Sequence, residues 1–304
     1  MFNKTCLYGF MILFIALVAY PAMAATDITV PSSQQLESGT AAAVVDNMQL
    51  PPGFNNPNLS AIWMQEKLML VVFFIVLIYL IRNSRRAKEL TFGTLLFIAT
   101  TTMFWQEPYA DWGCYLLFNP KLTLMPWGST LWTSPNKPLN LIWQYGAFFA
   151  GIYSVMLWLV RKLHARYPQL SNLGAVLVIG IPIFYLFDLL VEGLCVKNGI
   201  HSYIKPLIGP VFVMAKGNFP LVYPVVPFVF YAVITLWVLR LRAANGHVRF
   251  ESSFGAERFA AGWQRELVRV IIWILVMNGL YLLLFTGPAV AIRVFLGGPC
   301  ALVP

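Results

Sequence analysis

The stretch NLGAVLVIGIPIFYLFDLLVE, residues 172–192, decides the reading of the fold. Between Leu173 and Val191 it holds a single charged side chain, Asp188. A helix needs about 20 apolar residues to cross a hydrocarbon layer of ~30 Å, so this segment reads as a membrane span. Five more such runs lie at about 62–81, 90–106, 141–160, 221–239 and 270–292. The prediction is an all-α polytopic membrane helix bundle with six transmembrane helices.

Composition agrees with that reading. Of 304 residues, 59% are hydrophobic and 11% charged, with a mean hydropathy of +0.70. Soluble domains carry about 25% charged residues, so a water-soluble globular protein is excluded. Lys and Arg number 21 against 12 Asp and Glu, but they fall in short clusters between apolar runs and not over one face. No nucleic-acid partner is expected, whereas membrane lipid is. The 20 Pro and 21 Gly point to interrupted helices and structured loops, which lipid tolerates only where protein or a wet cavity satisfies the backbone.

Residues 1–24 read as a signal peptide: Lys4, an apolar run from Leu7 to Tyr20, then Pro21-Ala22-Met23-Ala24 at a cleavage site. The alternative is an uncleaved additional span. Residues 25–60 lack Lys and Arg, are rich in Ser, Gln, Asn and Pro, and read as an exported flexible linker. The membrane domain is then 61–293, with 294–304 as an outer C-terminal tail. Three connections, around Arg82–Lys88, Arg161–Arg166 and Arg240–Arg269, hold 13 of the 21 basic residues. The positive-inside rule makes that side cytoplasmic, which agrees with an exported linker and places both termini outside. Within 240–269, Phe259, Trp263 and Leu267 repeat every four residues, the pattern of a helix lying in the inner interface.

The unusual residues gather on the outer side. The loop 107–140 carries Tyr109, Trp112, Tyr115, Phe118, Trp127 and Trp132, and it is either an interfacial anchor or a lid over a cavity between helices. The stretch 207–215, too short to span, reads as re-entrant or surface-lying. Two carboxyl pairs close spans at spacing i, i+4: Glu107 with Asp111, and Asp188 with Glu192. Continuity of the first pair through Pro108 is open. Asp188 lies deepest in an apolar run. An acid there costs about 2.5–3.5 kcal/mol at a helix centre, less near an end, and normally faces a cavity or a partner. The bland alternatives are a structural hydrogen bond for Asp188, pairing of Glu107 and Glu192 with Lys197 or Lys205, and an ordinary loop role for Asp111. Cys114, Cys195 and Cys300 share the outer side, and either one pair forms a disulfide or all three pack as small hydrophobes. With three His and no ligand motif, neither a metal nor a cofactor is expected.

Several short motifs in a fixed order resemble the spirocyclase AveC-like family of bacterial integral membrane proteins. They are Gln106-Glu107-Pro108 with Asp111, Asn119, Met125-Pro126-Trp127-Gly128, Thr133-Ser134-Pro135, Asp188-x-x-x-Glu192, Gly199-Ile200-His201-Ser202-Tyr203 and Gly217-Asn218-Phe219-Pro220-Leu221-Val222-Tyr223. The resemblance covers about residues 60–290. It implies a multi-pass protein of the bacterial cytoplasmic membrane and, from the family's namesake, dehydration and spiroketal formation on a polyketide. The residues suit such work, because one carboxyl can deliver a proton while another accepts one from the attacking hydroxyl. Asp188 is the candidate acid, with Glu107 or Glu192 as base or charge stabiliser and Asp111 beside them. Trp112, Asn119, Trp127, His201, Tyr203 and Tyr223 are the candidate substrate-binding residues, the aromatic ones able to face a developing oxocarbenium ion. The expected ligand is a lipophilic small molecule, polyketide- or isoprenoid-like. The competing reading is a non-enzymatic membrane protein that binds or transports a lipid or hydrophobic metabolite, alone or as a subunit of a larger complex; protein partners are unknown.

Overall fold

The computed structural model describes residues 50–128, 130–205 and 207–304. The signal segment 1–24 and residues 25–49 of the linker lie outside the described residues. The chain is mostly helical, and four helices are long and apolar enough to cross a membrane: α1 Leu59–Ala87, α4 Leu141–Arg166, α5 Asn172–Lys197 and α8 Trp263–Gly297. Between them stand α2 Phe92–Thr101, α3 Glu107–Gly113, α6 Val225–Arg240 and the short α7 Arg249–Ser253. The run expected at 90–106 is thus divided: a 3-10 turn, Thr102–Gln106, separates α2 from α3.

Helix α4 is central. In its most apolar window 61% of the residues are buried, against 17–28% for the other three long helices. α4 touches α1, α2, α5 and α6, while α8 closes the bundle against α2, α3 and α6. The outward faces remain apolar: Phe74, Ile75 and Ile78 on α1, Val178, Leu186 and Leu190 on α5, and Leu275 on α8 are all exposed. Such surfaces suit a hydrocarbon solvent and not water. Local signals in the sequence set the helix starts. Thr91 caps α2 through its side chain on Thr94 N, and Ser171 caps α5 on Gly174 N. Pro108 sits in the first turn of α3, where its missing N–H costs nothing. Glu107 and Asp111 are therefore one turn apart on a single helix.

The outer loops contain strands that the all-α reading did not anticipate. β1 Leu116–Phe118 pairs antiparallel with β2 His201–Tyr203, Leu116 opposite Tyr203 and Phe118 opposite His201. β3 Val211–Met214 pairs with β4 Gly217–Pro220, so the stretch expected to be re-entrant or surface-lying is one arm of a hairpin. Val-Phe-Val-Met favours extended backbone, and the following Gly-Asn-Phe-Pro supplies the partner that a short apolar run otherwise lacks. Residues 240–262 also depart from expectation. Gly255 (φ 75°) and Gly262 (φ 137°) take conformations that no helix contains. Phe259 consequently lies outside any helix, and α8 begins at Trp263. Cys114, Cys195 and Cys300 are all free thiols, so packing and not a disulfide accounts for them. At the same end as the paired strands, residues 50–58 pack onto the bundle through Phe54, which is buried in one cluster with Cys300, and Gly53 N donates to Ala215 O at 3.2 Å.

One close approach sets the position of α3. A Cβ on Gly113 would lie 2.6 Å from the backbone carbon of Ala289 on α8. Backbone cannot swing aside, so Gly113→Ala should push the two helices apart at a cost of about 1–3 kcal/mol, the usual range for overpacking. The measurement is thermal unfolding in detergent, where a midpoint equal to wild type would show that the contact is loose.

Candidate functional site

At the end of the bundle that carries β1 and β2, the helices meet around a cavity of about 110 Å³. α3 contributes Glu107 and Asp111, α5 contributes Asp188 and Glu192, and β2 contributes His201 and Tyr203. α4 adds Gln144, Tyr145, Phe148 and Phe149, α8 adds Tyr281 and Phe285, and β1 closes the roof with Leu116 and Phe118. The helical period explains the convergence: residues four apart project on one face, and both carboxyl pairs follow that spacing.

The four carboxyls are held in different ways. Glu107 Oε2 accepts hydrogen bonds from the hydroxyls of Tyr145 and Tyr281, the latter at 2.9 Å, and the two hydroxyls lie 2.8 Å from each other. Glu192 Oε2 lies 2.9 Å from His201 Nε2, an ion pair when the imidazole is protonated, and accepts from Tyr203 Oη at 3.3 Å. The His201 ring does not aim an N–H along that line, so both ring nitrogens remain without an aligned hydrogen bond. Burial, then the charge of Glu192, pushes the Tyr203 hydroxyl well above its ordinary range, so Tyr203 stays a donor at any physiological pH. Asp188 is buried against the cavity with no hydrogen-bond partner among the described residues. Asp111 keeps Oδ2 fully buried and unpartnered. Two fixed carboxyls and two unclaimed ones thus share one small space.

The structure brings Glu107, Asp111, Asp188, Glu192, His201 and Tyr203 together. Neither Lys197 nor Lys205 is the partner of Glu192; His201 and Tyr203 are. The other four sequence candidates do not line this cavity, and three of them have structural partners. Trp112, next to Asp111 in sequence, points about 100° away around the helix into a second small core. There the Arg293 guanidinium stands 3.8 Å from its ring, and its Nε1 donates to Pro304 O at 2.6 Å. Asn119 Nδ2 donates to Phe54 O at 2.6 Å and to Gly199 O at 2.9 Å, tying the N-terminal segment to the outer loops. Tyr223 Oη donates to Gly113 O at 3.2 Å beneath α3. Trp127 is 48% exposed and cannot face an enclosed substrate.

The aromatic wall therefore comes from the helices and not from the loop tryptophans. Phe149 packs edge-on against Tyr145 and Tyr281, with centroids 5.1 and 6.2 Å away. The sequence reading missed Tyr145, Tyr281, Gln144 and Gln65. The available signal was weak but physical: each is a polar group inside an apolar run, where it must find a partner. Backbone irregularity marks two of them, since Gln65 lies within a π turn, Met64–Leu68, and Tyr281 immediately precedes another, Leu282–Thr286. Such turns recur at functional sites because they re-aim side chains. Cys114 and Cys195 also reach the cavity. Among the described residues no group of three or more His, Cys, Asp or Glu side chains is arranged to hold a metal ion.

No curated protein and no solved structure matches the chain. The family model described as spirocyclase AveC-like matches residues 85–299. That interval contains both carboxyl pairs, the paired strands over the cavity and all but one of its lining residues, Gln65. It also exceeds two thirds of the sequence, and on that match the chain belongs to the spirocyclase AveC-like family.

Proposed function

We propose that this protein is an integral membrane cyclase or dehydratase that closes rings on a lipophilic hydroxylated metabolite, polyketide- or isoprenoid-like, by carboxyl acid–base chemistry. Family membership suggests a spirocyclase- or cyclase-type role. The observation that carries the acid–base reading is the convergence of four carboxyls on one aromatic-walled cavity, two held by Tyr and His and two unclaimed. Asp188 donates a proton to an enol-ether carbon, or to a hydroxyl that leaves as water, and an oxocarbenium ion results. A substrate hydroxyl attacks the oxygen-bearing carbon of that ion and passes its proton to Glu192, beside His201. Glu107, held by Tyr145 and Tyr281, and Asp111 face the cation and stabilise its charge, while Phe149 and the tyrosines supply aromatic faces. Ring closure on an enol ether leaves the substrate mass unchanged; the dehydrative route removes one water.

The test compares lipophilic extracts from cells carrying the wild-type chain, a deletion and Asp188→Asn. A compound that accumulates in both mutants, either isobaric with the missing product or heavier by one water, supports the reading. Unchanged extracts would sink it, and a variant that loses ligand retention along with product would favour a binding or transport role.

We further propose that α2 with α3, and α6, complete six spans in the bacterial inner membrane, with Arg82–Lys88, Arg161–Arg166 and 240–269 cytoplasmic and both termini outside. The basic clusters support this orientation. A membrane-impermeant thiol reagent applied outside should modify a cysteine placed at Ser38 and spare one at Gly246. The reverse labelling would overturn the orientation.

A further inference from the structure

At the end of the bundle opposite the cavity, the fold treats its arginines unequally. Arg269 is neutralised by three carboxylates: Glu251 at 2.6 Å, Glu266 at 2.9 Å and Glu89 at 3.8 Å. Arg161, near the end of α4, Arg240, the last residue of α6, and Arg242, two residues on, pair with no carboxylate among the described residues. The packing of α4 against α6 brings their ends together, and Arg242 follows α6 by two residues. Desolvation, then the charges of Arg161 and Arg240, holds the Arg242 guanidinium below its ordinary range, with Glu251 acting in the opposite sense. The Arg242 guanidinium is fixed 4.8 Å over the Phe92 ring at the start of α2. Arg240 keeps its Nε buried with no acceptor. His164, one turn beyond Arg161, likewise keeps Nδ1 buried with no partner.

Arg161 and Arg240 are half-buried and Arg242 is exposed; with no ion pair to any of them among the described residues, the three guanidinium groups repel one another. The C-terminal dipole of α6 offsets part of that repulsion at Arg240, but it reaches only the last turn. An anion seated among the three would offset the rest, and planar guanidinium forks match the paired oxygens of phosphate. From Phe92 to Glu107 the chain climbs roughly 20 Å along the bundle, so this cluster is remote from the carboxyl cavity.

We propose that Arg161, Arg240 and Arg242 form a binding site for a phosphate-bearing anion at this end of the bundle, with the buried Arg240 Nε as one of its donors. Its source is either the headgroup of an anionic lipid or a soluble phosphate. The site is independent of the acid–base reading of the cavity, because none of its residues lines that cavity.

The test is thermal unfolding of the full chain, purified and delipidated in neutral detergent, with added phosphatidylglycerol, phosphatidylcholine or inorganic phosphate. Wild type should gain about 5 °C from phosphatidylglycerol or from inorganic phosphate, as a ligand that binds only the folded state requires. A gain with phosphatidylglycerol alone assigns the site to lipid, and a gain with inorganic phosphate assigns it to a soluble anion. Arg240→Gln and Arg242→Gln should lose that gain, whereas Lys162→Gln, an exposed neighbour on the same helix, should keep it. Without anion, Arg240→Gln should unfold no lower than wild type, since it relieves repulsion. If Arg240→Gln fails to fold, the loop variant Arg242→Gln carries the test. No gain from either anion, an equal gain from phosphatidylcholine, or a full gain in Arg242→Gln would overturn the proposal.

Discussion

Asp188→Asn is expected to lower product formation by ~10²-fold or more, the usual scale for one general acid or base, while the protein still inserts and retains ligand. The amide preserves volume and shape, so the cavity lining is unaltered and only the acidic proton is lost. Asp188 is the sharpest position for this test because no hydrogen bond among the described residues ties it down; a purely structural carboxyl at this depth would have one. Glu192→Gln should also lose turnover, and it removes the ion pair with His201 as well. Glu107→Gln should act more mildly, since the amide oxygen still accepts from Tyr281. Single-turnover rates with a retained ligand, measured for the three variants side by side, distinguish these cases. An Asp188→Asn protein with wild-type turnover would remove Asp188 from the chemistry.

Arg269→Met should produce the largest loss of stability. Glu251 is 3% exposed and depends on Arg269 Nε at 2.6 Å, with Trp273 Nε1 donating at 2.9 Å and His247 Nδ1 lying 3.3 Å away. Removing the cation strands a buried carboxylate, which costs about 3–5 kcal/mol. In a thermal melt that corresponds to a fall on the order of 10 °C. The same pair closes residues 241–262 over the end of the bundle, so the variant should also become sensitive to protease in that segment. Arg269→Met/Glu251→Met should recover most of the loss, because two apolar side chains leave no charge unpaired. A single variant that melts with wild type would mean that water reaches Glu251.

Both predictions rest on residues of different legibility. Asp188 and Glu192 could be read directly from the stretch 172–192: an acid in an apolar helix must face inward, and a spacing of four puts both carboxyls on one face. The Glu251–Arg269 pair could not, since its partners are separated by two glycines whose positive φ breaks the helix expected there. Glu107 and Asp111 lie between these extremes. The spacing was legible, but their joining in one turn depended on Pro108 falling in the first turn of α3. Trp112, Trp127, Asn119 and Tyr223 do not line the cavity. Aromatic and amide residues in an outer loop resemble a binding surface, yet their side-chain directions follow from which neighbour each one meets.

What the sequence by itself determined was the helical, apolar character of the chain and the places of its carboxyl pairs. Apolar runs of membrane-crossing length are a local property of composition and spacing, and so is a spacing of four between two acids. The tertiary structure alone decided which groups share a cavity. Tyr145 and Tyr281, 136 residues apart, meet Glu107 only because α4 and α8 close against α3, with Gly113 at the contact. It also decided that the outer loops form paired strands over that cavity, since a strand is defined by hydrogen bonds to a partner and β1 lies more than 80 residues from β2. Periodicity reports how a segment meets its solvent; it carries no information about which distant segment will supply the other half of a hydrogen bond.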